Sequence, residues 1–160
     1  MEPIITYHKA GPGDIPTLVD YRIEFQVAMS GPQPQEAINE LKVHLVEYFN
    51  RALGNNTFIG YIARCNTIVA GMGGIVIRDH AGGFRNPQGK MGYVMNMYTV
   101  PAFRRKGICT AILNLLVNDA HATGITAFEL HASKDGEHVY KKHGFKIHDE
   151  PTYRRFIITD

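Results

Sequence analysis

The sequence predicts an α/β (α+β) fold in which a mixed, mostly antiparallel central sheet of six to seven strands is flanked by about four helices. Strand-like runs in the first half of the chain lie close together, whereas those in the second half alternate with helix-like segments. The chain has 160 residues, of which 44% are hydrophobic and 20% are charged. This composition is typical of one compact globular domain, which we expect to span residues 1–160.

The first three elements are predicted from chain breakers and helical periodicity. Residues 4–9 predict a short strand, which ends at the sequence GPGD. Apolar residues recur at helical spacing through 15–29, and again from Ile38 to Ala52, where Gly54 follows as a stop signal. Two helices therefore come before most of the sheet.

The centre of the chain predicts three further strands. Residues 57–64 and 67–77 have the pattern of a hairpin, and residues 91–100 form another strand after a polar loop. Three glycines between positions 71 and 74 weaken the second of these strands. They indicate either a bulge or a place where another backbone comes close.

The last third of the chain alternates helices and strands. Its apolar spacing favours strand–helix–strand units, which imply a mixed sheet with helices on its faces. In order, the predicted elements are a helix from Ile108 to near Gly124, a strand at 125–132, a helix at 136–143, and closing strands at 145–147 and 152–159.

Charge, cysteine content and hydropathy exclude several functional classes. The net charge is +2, and the basic residues at 104–106 and 141–142 are too few to predict nucleic-acid binding. The two cysteines, Cys65 and Cys109, favour a reducing compartment. The first residues lack the pattern of a signal peptide, and no apolar run is long enough to span a membrane. We therefore expect a soluble, cytoplasmic protein.

The sequence MYTVPAFRRKGICT, at 97–110, places positive charge where a strand is followed by a helix. A helix N-terminus has unpaired N–H groups and partial positive charge, which suit a phosphate group. Gly107 and Cys109 are small enough for a ligand to approach the backbone. From these residues alone, a pyrophosphate site and a solvated basic turn fit the pattern equally well.

Two motifs resemble those of the GCN5-related N-acetyltransferases, the GNAT family. The segment Arg104–Cys109 resembles the family's acetyl-coenzyme A signature, in which arginine or glutamine is followed after two residues by glycine, then by any residue and glycine or alanine. The segment ASKDGEHVYKKHGF, at 132–145, resembles the later motif, in which a tyrosine precedes a turn ending in Gly-Phe. The motifs occur in the family's order. The resemblance implies a GNAT-like acyl-CoA N-acyltransferase fold over nearly the whole chain.

The resemblance also implies how acetyl-CoA would bind as a cosubstrate. Backbone groups at 97–99 would pair with the pantetheine arm, along a strand that carries a bulge and splays from its neighbour. Residues 104–110 would wrap the pyrophosphate, chiefly through backbone N–H groups. Ser133 replaces an asparagine that contacts the cofactor arm in many members, and Cys109 replaces the usual glycine or alanine. The implied cofactor-binding residues are Met97, Tyr98, Thr99, Arg104, Arg105, Lys106, Gly107, Ile108, Cys109, Thr110 and Ser133.

The implied reaction transfers an acetyl group from acetyl-CoA to a primary amine of a small molecule or protein, by direct attack in a ternary complex. Tyr140 falls at the position of the family's general acid. An ordinary phenol pKa near ~10 is close enough to a thiol's ~8.5 for the proton to be shared with the leaving thiolate. The general base is left open between Glu24, His131 and a water chain. No histidine pair has the spacing of a metal site, so we expect no metal.

The acceptor amine is not defined by the sequence. The loops at 30–35 and 78–90 and the segment near 148–152 are expected to wall its site, but their mixed charges select no class of amine. The alternative to an enzyme is a non-catalytic acyl-CoA binding or sensor module, which would not need the phenol of Tyr140. The apolar end at 153–160 is compatible with a homodimer.

Overall fold

The structure is a computed structural model that describes residues 3–158. Short 3₁₀ turns at Pro12–Asp14 and Pro101–Phe103 precede the first helix and follow the fourth strand. The elements are, in chain order, β1 (Ile5–Lys9), α1 (Ile15–Ser30), α2 (Gln35–Gly54), β2 (Phe58–Cys65), β3 (Ile68–Asp79), β4 (Lys90–Thr99), α3 (Ile108–Ala122), β5 (Phe128–Glu129) and α4 (Glu137–Lys142).

The five strands lie side by side in chain order. β1 to β4 are antiparallel to one another, and β5 joins β4 in parallel. The parallel pair needs a crossover connection, which contains α3. The mixed, mostly antiparallel sheet that the sequence predicts is therefore confirmed.

Helices cover both faces of the sheet, and each face has its own apolar cluster. On one side, here called the α3 face, Ile75 of β3 packs with Leu116 of α3. On the other side, here called the α1/α2 face, Met72 of β3 packs with Leu18 and Phe49. Met72 and Ile75 differ by an odd number of positions, so the alternation of a strand places them on opposite faces.

The glycines of β3 allow close approach, which is one of the two alternatives that the sequence leaves open. A Cβ atom at Gly71 would lie 2.9 Å from the backbone oxygen of Tyr98 and 3.0 Å from Cγ2 of Ile108. A Cβ atom at Gly73 would lie 2.6 Å from Cγ2 of Ile112. Larger residues would push α3 and β4 away from β3 and so disturb the start of α3.

The predicted number of strands was wrong: the described residues form five, not six or seven. The strand predicted at 125–132 is reduced to Phe128–Glu129, and residues 145–147 and 152–158 are irregular, while position 159 lies outside the described residues. The apolar side chains of Ile147 and Phe156 are 78% and 85% exposed. A β-branched pattern makes a strand only where an edge is available to pair with it, and these segments pair with none in residues 3–158.

Within residues 3–158, no helix has the length and apolar character needed to cross a membrane.

Candidate active site

A bulge in β4 interrupts its pairing with β3. Gly74 pairs with Met95, but Met72, two residues earlier, pairs with Tyr98, so β4 has one extra residue at this point. Asn96 lies in the bulge with a φ angle of 57°, in the left-handed region that asparagine tolerates better than most residues. The bulge reverses which face the following side chains reach, so that Val94 contacts the α3 face and Tyr98 the α1/α2 face.

Asn96 is a functional candidate that the sequence reasoning missed. It is only 2% exposed, and neither polar atom of its side-chain amide has a hydrogen-bond partner among residues 3–158. A buried amide without partners costs free energy, and such groups in native proteins usually bond to water or a ligand. A buried asparagine inside an apolar strand was the available signal, because asparagine is uncommon there.

The edge of β4 beyond the bulge is open. In the described part of the chain, β5 pairs with β4 only at Gly92 and Tyr93. The N–H of Val100 donates to the backbone oxygen of Ala70 at 3.0 Å, so it points towards β3. Because backbone groups alternate along a strand, those of Met97 and Thr99 point towards the open edge and those of Tyr98 towards β3. Of the three predicted residues, Met97 and Thr99 can thus offer backbone groups to an added strand-like ligand.

The turn that follows β4 forms a concave array of N–H groups. Arg105 and Gly107 have φ angles of 65° and 74°. Gly107 is the N-cap of α3. Because glycine has no side chain, it cannot cap the first-turn N–H groups of Ile108, Cys109 and Thr110. Left-handed residues beside a helix N-terminus form an anion-binding nest.

The basic side chains of this turn belong to residues of the nest or to the residue directly before it. Arg104, Arg105 and Lys106 are all exposed. Nε of Arg104 donates to the backbone oxygen of Thr99 at 3.3 Å, which ties the turn to the open edge of β4. Nζ of Lys106 lies 5.7 Å from the ring centroid of Phe103. Ile108 behind the turn is 1% exposed and fixes the start of α3 in the core.

Tyr140 lies on the α3 face, in the apolar cluster that contains α3. It is 9% exposed, and its ring packs edge-on against Phe145 with 6.1 Å between centroids. Burial raises the pKa of Tyr140 well above the ordinary phenol value, and the nearby Cys109 thiol raises it further. The phenol is therefore protonated throughout the neutral range.

The two residues that depart from the family pattern lie near Tyr140. Burial raises the pKa of the half-buried Cys109 thiol, which keeps it uncharged near neutral pH. Oγ of Ser133 accepts a hydrogen bond from the N–H of Gly136 at 3.3 Å, so this hydroxyl helps to shape the turn before α4. A Cβ at Gly136 would lie 3.1 Å from the Tyr140 ring, which places this turn directly against the phenol. Direct contact of Ser133 with a cofactor stays a prediction.

The two side chains predicted as candidate bases lie on the α1/α2 face at different points along β4. Oε1 of Glu24 accepts a hydrogen bond from the Tyr98 hydroxyl at 2.8 Å. Burial, with this hydrogen bond, raises the pKa of Tyr98 to about 12. The ring of His131 packs edge-on against Tyr93 at 5.9 Å between centroids. Glu24 is therefore hydrogen-bonded to β4 just beyond the bulge, whereas His131 packs on β4 before the bulge.

Comparison with known proteins decides the family. The sequence profile described as Acetyltransferase (GNAT) family matches residues 22–145. The chain belongs to the GNAT family of acetyltransferases. The resemblance, the fold class and the enzyme class predicted from the sequence are thereby confirmed.

Solved structures agree with this assignment. A predicted acetyltransferase from Clostridium acetobutylicum, crystallised with acetyl-CoA, is 36% identical, with a TM-score of 0.85 over 95% of this chain and 96% of that chain. A GCN5-related N-acetyltransferase from Ralstonia eutropha JMP134 shares the fold at 18% identity, with a TM-score of 0.83 over 95% and 99% of the two chains. Glucosamine-6-phosphate N-acetyltransferase from Arabidopsis thaliana shares it at 16% identity, with a TM-score of 0.70 over 96% and 99%. No curated protein sequence matches the chain.

Proposed function

We propose that this GNAT-family enzyme transfers an acetyl group from acetyl-CoA to a primary amine by direct attack in a ternary complex. The main support is one arrangement: the open edge of β4 leads directly into the nest at 105–110. An added strand-like arm and a pyrophosphate are the two parts of coenzyme A that these features fit. The 36% identical protein crystallised with acetyl-CoA supports the same cosubstrate.

The residues at the bulge suit the acyl end of the cosubstrate. Backbone groups of Met97 face the open edge next to the bulge, where donors can stabilise negative charge on a carbonyl oxygen. The buried amide of Asn96 lies at the same point and has donors to offer. Tyr140 lies on the α3 face near Cys109 and the helix N-terminus.

Tyr140 is proposed to protonate the departing thiolate. From the sequence, the phenol pKa was expected to lie close to that of the coenzyme A thiol. In the structure, burial raises the pKa of the Tyr140 phenol above that expected value. A weaker acid transfers its proton completely only when the thiolate is a stronger base than the phenolate, so the main contribution becomes a hydrogen bond that strengthens as charge develops on sulfur. The attacking amine must be neutral, and its proton is received by Glu24, His131 or water, as the sequence left open.

The test is release of free coenzyme A from acetyl-CoA in the presence of primary amines, measured for the wild type and Tyr140→Phe. We expect kcat to fall by about 10- to 100-fold in the variant, the range for a hydrogen bond to a charged group. Tyr153→Phe is the matched control, since Tyr153 is 89% exposed, and its rate should equal that of the wild type. An enzyme-only blank accounts for reaction of Cys65 or Cys109 with the thiol reagent.

The outcome separates the enzyme from the non-catalytic alternative. Turnover that is slowed to this extent in Tyr140→Phe, with acetyl-CoA affinity retained, would support the transferase and the role of Tyr140. An unchanged rate in Tyr140→Phe would remove Tyr140 from the mechanism. Acetyl-CoA binding without turnover on any amine would instead favour the sensor module.

The homodimer predicted from the sequence is also retained as a proposal. The described end of the chain supports it only through exposed apolar side chains: Tyr153, Phe156, Ile157 and Ile158 are each at least 78% exposed. Light scattering of the purified protein measures the oligomeric state directly, and a monomeric mass at all concentrations would reject the dimer.

A further inference from the structure

Two arginines from separate elements lie on the α1/α2 face of the sheet. Cζ of Arg78, on β3, lies 3.7 Å from the ring centroid of Tyr93 on β4. Arg22, on α1, is held by Gln26, whose side-chain oxygen accepts from both terminal nitrogens of Arg22 at 3.0 and 3.1 Å when its amide is oriented to bond them. Cζ of Arg22 also lies 5.9 Å from the ring centroid of Phe25, which is 5.7 Å from the ring centroid of Tyr98 on β4. Both arginines therefore lie beside β4 on the same face, Arg78 against Tyr93 and Arg22 near the ring that packs on Tyr98. Both guanidinium groups also lower the pKa of Tyr48, against the larger effect of burial, which agrees with this placement.

Positive charge exceeds negative charge at this place. In residues 3–158, Arg22 makes no ion pair with a carboxylate, and the nearest carboxylate oxygen to Arg78 is Oε1 of Glu129, 3.9 Å from Nη1. Glu24 on α1 is hydrogen-bonded to the Tyr98 hydroxyl. The other charged or titratable groups around the cluster are Arg51 on α2, His131 after β5, and Arg154, which lines a shallow cleft with His131 and Thr152.

The guanidinium of Arg22, which has no carboxylate partner in residues 3–158, is partly shielded from solvent. Arg22 is half-buried, and burial lowers its pKa, although the neighbouring tyrosines oppose the shift. Burying a guanidinium without a counter-charge is unfavourable, so an incoming anion would be stabilised there. The planar fork of arginine matches the two oxygens of a carboxylate or phosphate.

The cluster lies within reach of the reacting centre. Tyr93 precedes Met95 by two positions on the same strand, which corresponds to about 7 Å along β4 before the bulge begins. Both the cluster and the Glu24–Tyr98 pair are on the α1/α2 face. A small acceptor can therefore place its amine beside the bulge and its other end at the arginines.

We propose that Arg22 and Arg78, the latter stacked on Tyr93, form an acceptor subsite for an oxyanion. The acceptor is then a primary amine that also carries a carboxylate or phosphate group, rather than a polyamine or an uncharged amine. The inference rests on the proposed acetyl transfer, because it assigns the acceptor for that same site.

The first test compares matched acceptors with the wild-type enzyme. We expect kcat/KM for 6-aminohexanoate to exceed that for hexylamine by about 10- to 100-fold, the range for hydrogen bonds to a charged group. The same comparison between 3-aminopropylphosphonate and propylamine separates phosphate-like from carboxylate recognition. Equal rates for both pairs, or a preference for cadaverine, would overturn the inference.

The second test removes each arginine. Arg22→Gln and Arg78→Gln should raise KM for the preferred acidic acceptor at least about tenfold, with little change in KM for the matched neutral amine. Arg22→Lys keeps the charge without the fork and should recover part of the loss. Arg51→Gln is the matched control, since its exposed guanidinium lies 5.9 Å from the Tyr48 ring, and it should change KM by less than about threefold. An equal rise in KM in Arg51→Gln would show that the overall positive charge of this region attracts the acceptor, and would reject a specific subsite.

Calorimetry separates failure of this inference from failure of the proposed function. Binding of 6-aminohexanoate and hexylamine to the protein saturated with coenzyme A does not require turnover. Tighter binding of the acid, lost in Arg22→Gln, supports the subsite even if no amine is acetylated. Equal binding of the two compounds rejects the subsite even if both are acetylated.

Discussion

The molecule presents arginine in two regions that would bind negative charge by different means. In the turn at 104–110 the basic side chains are exposed, and the N–H groups of a left-handed backbone and a helix N-terminus would form the binding surface. In the cluster on the α1/α2 face, the half-buried side chains of Arg22 and Arg78 come from separate elements. The first region depends on backbone shape, and the second on side-chain chemistry.

This difference determines which substitutions should matter in each region. A backbone nest tolerates loss of a side chain but not loss of its φ angles. A side-chain site tolerates small backbone changes but not loss of the guanidinium fork.

The largest effect is expected from Gly107→Val. Gly107 has a φ angle of 74°, which a β-branched residue adopts only with strain, so the N–H groups of the nest should turn away. We expect acetyl-CoA affinity, measured by calorimetry, to fall about 10- to 100-fold through loss of hydrogen bonds to charged phosphate. Arg105→Gly keeps the left-handed backbone and removes only the side chain, so it should weaken binding by less than about fivefold.

Gly124→Val is the control for backbone strain. Gly124 follows α3 with a φ angle of 96°, and a Cβ there would meet nothing within 4 Å, as at Gly107. Both valine variants should lose thermal stability, but Gly124→Val should keep its acetyl-CoA affinity. If Arg105→Gly weakened binding as much as Gly107→Val, the side chains rather than the backbone would form the phosphate site.

A smaller effect is expected from salt. The exposed side chains at 104–106 are screened by ions more fully than the half-buried Arg22. Raising the ionic strength from about 0.05 to 0.5 M should therefore raise KM for acetyl-CoA more than KM for 6-aminohexanoate. KM for hexylamine, which lacks the acid group, gives the background change. A larger increase for the acidic acceptor would show that the arginine cluster is as accessible to ions as the turn.

The same contrast explains what the sequence could predict. The turn at 104–110 is contiguous, so its glycine and basic residues were visible as one motif, and so was Tyr140 in the second motif. Arg22, Arg78 and Asn96 belong to α1, β3 and β4, and only the fold and the β4 bulge bring them near one site. The closing strands predicted at 145–147 and 152–159 do not form in the described residues, which end at 158, because apolar alternation does not specify a pairing partner.

The smallest effect is expected at Tyr98, which lies between the two regions and whose hydroxyl donates to Glu24. Burial and this hydrogen bond raise the pKa of folded Tyr98 to about 12, above the ordinary value of 10.0. The folded state then holds the proton more tightly than the unfolded state. This contribution to stability is complete below pH 10 and is lost as the pH rises towards 12. Tyr98→Phe should flatten that part of the alkaline decline in a urea-unfolding series.

Tyr61→Phe provides the comparison that isolates function from stability. The Tyr61 hydroxyl donates to Asp119 at 2.8 Å, and its pKa is also raised to about 12, chiefly by burial. Both variants should therefore flatten the alkaline decline to a similar degree. Only Tyr98→Phe releases Glu24 beside the bulge, so only it should change the dependence of kcat on pH. If Tyr61→Phe altered that profile equally, or neither variant did, Glu24 would have no part in accepting the amine proton, and His131 or water would remain.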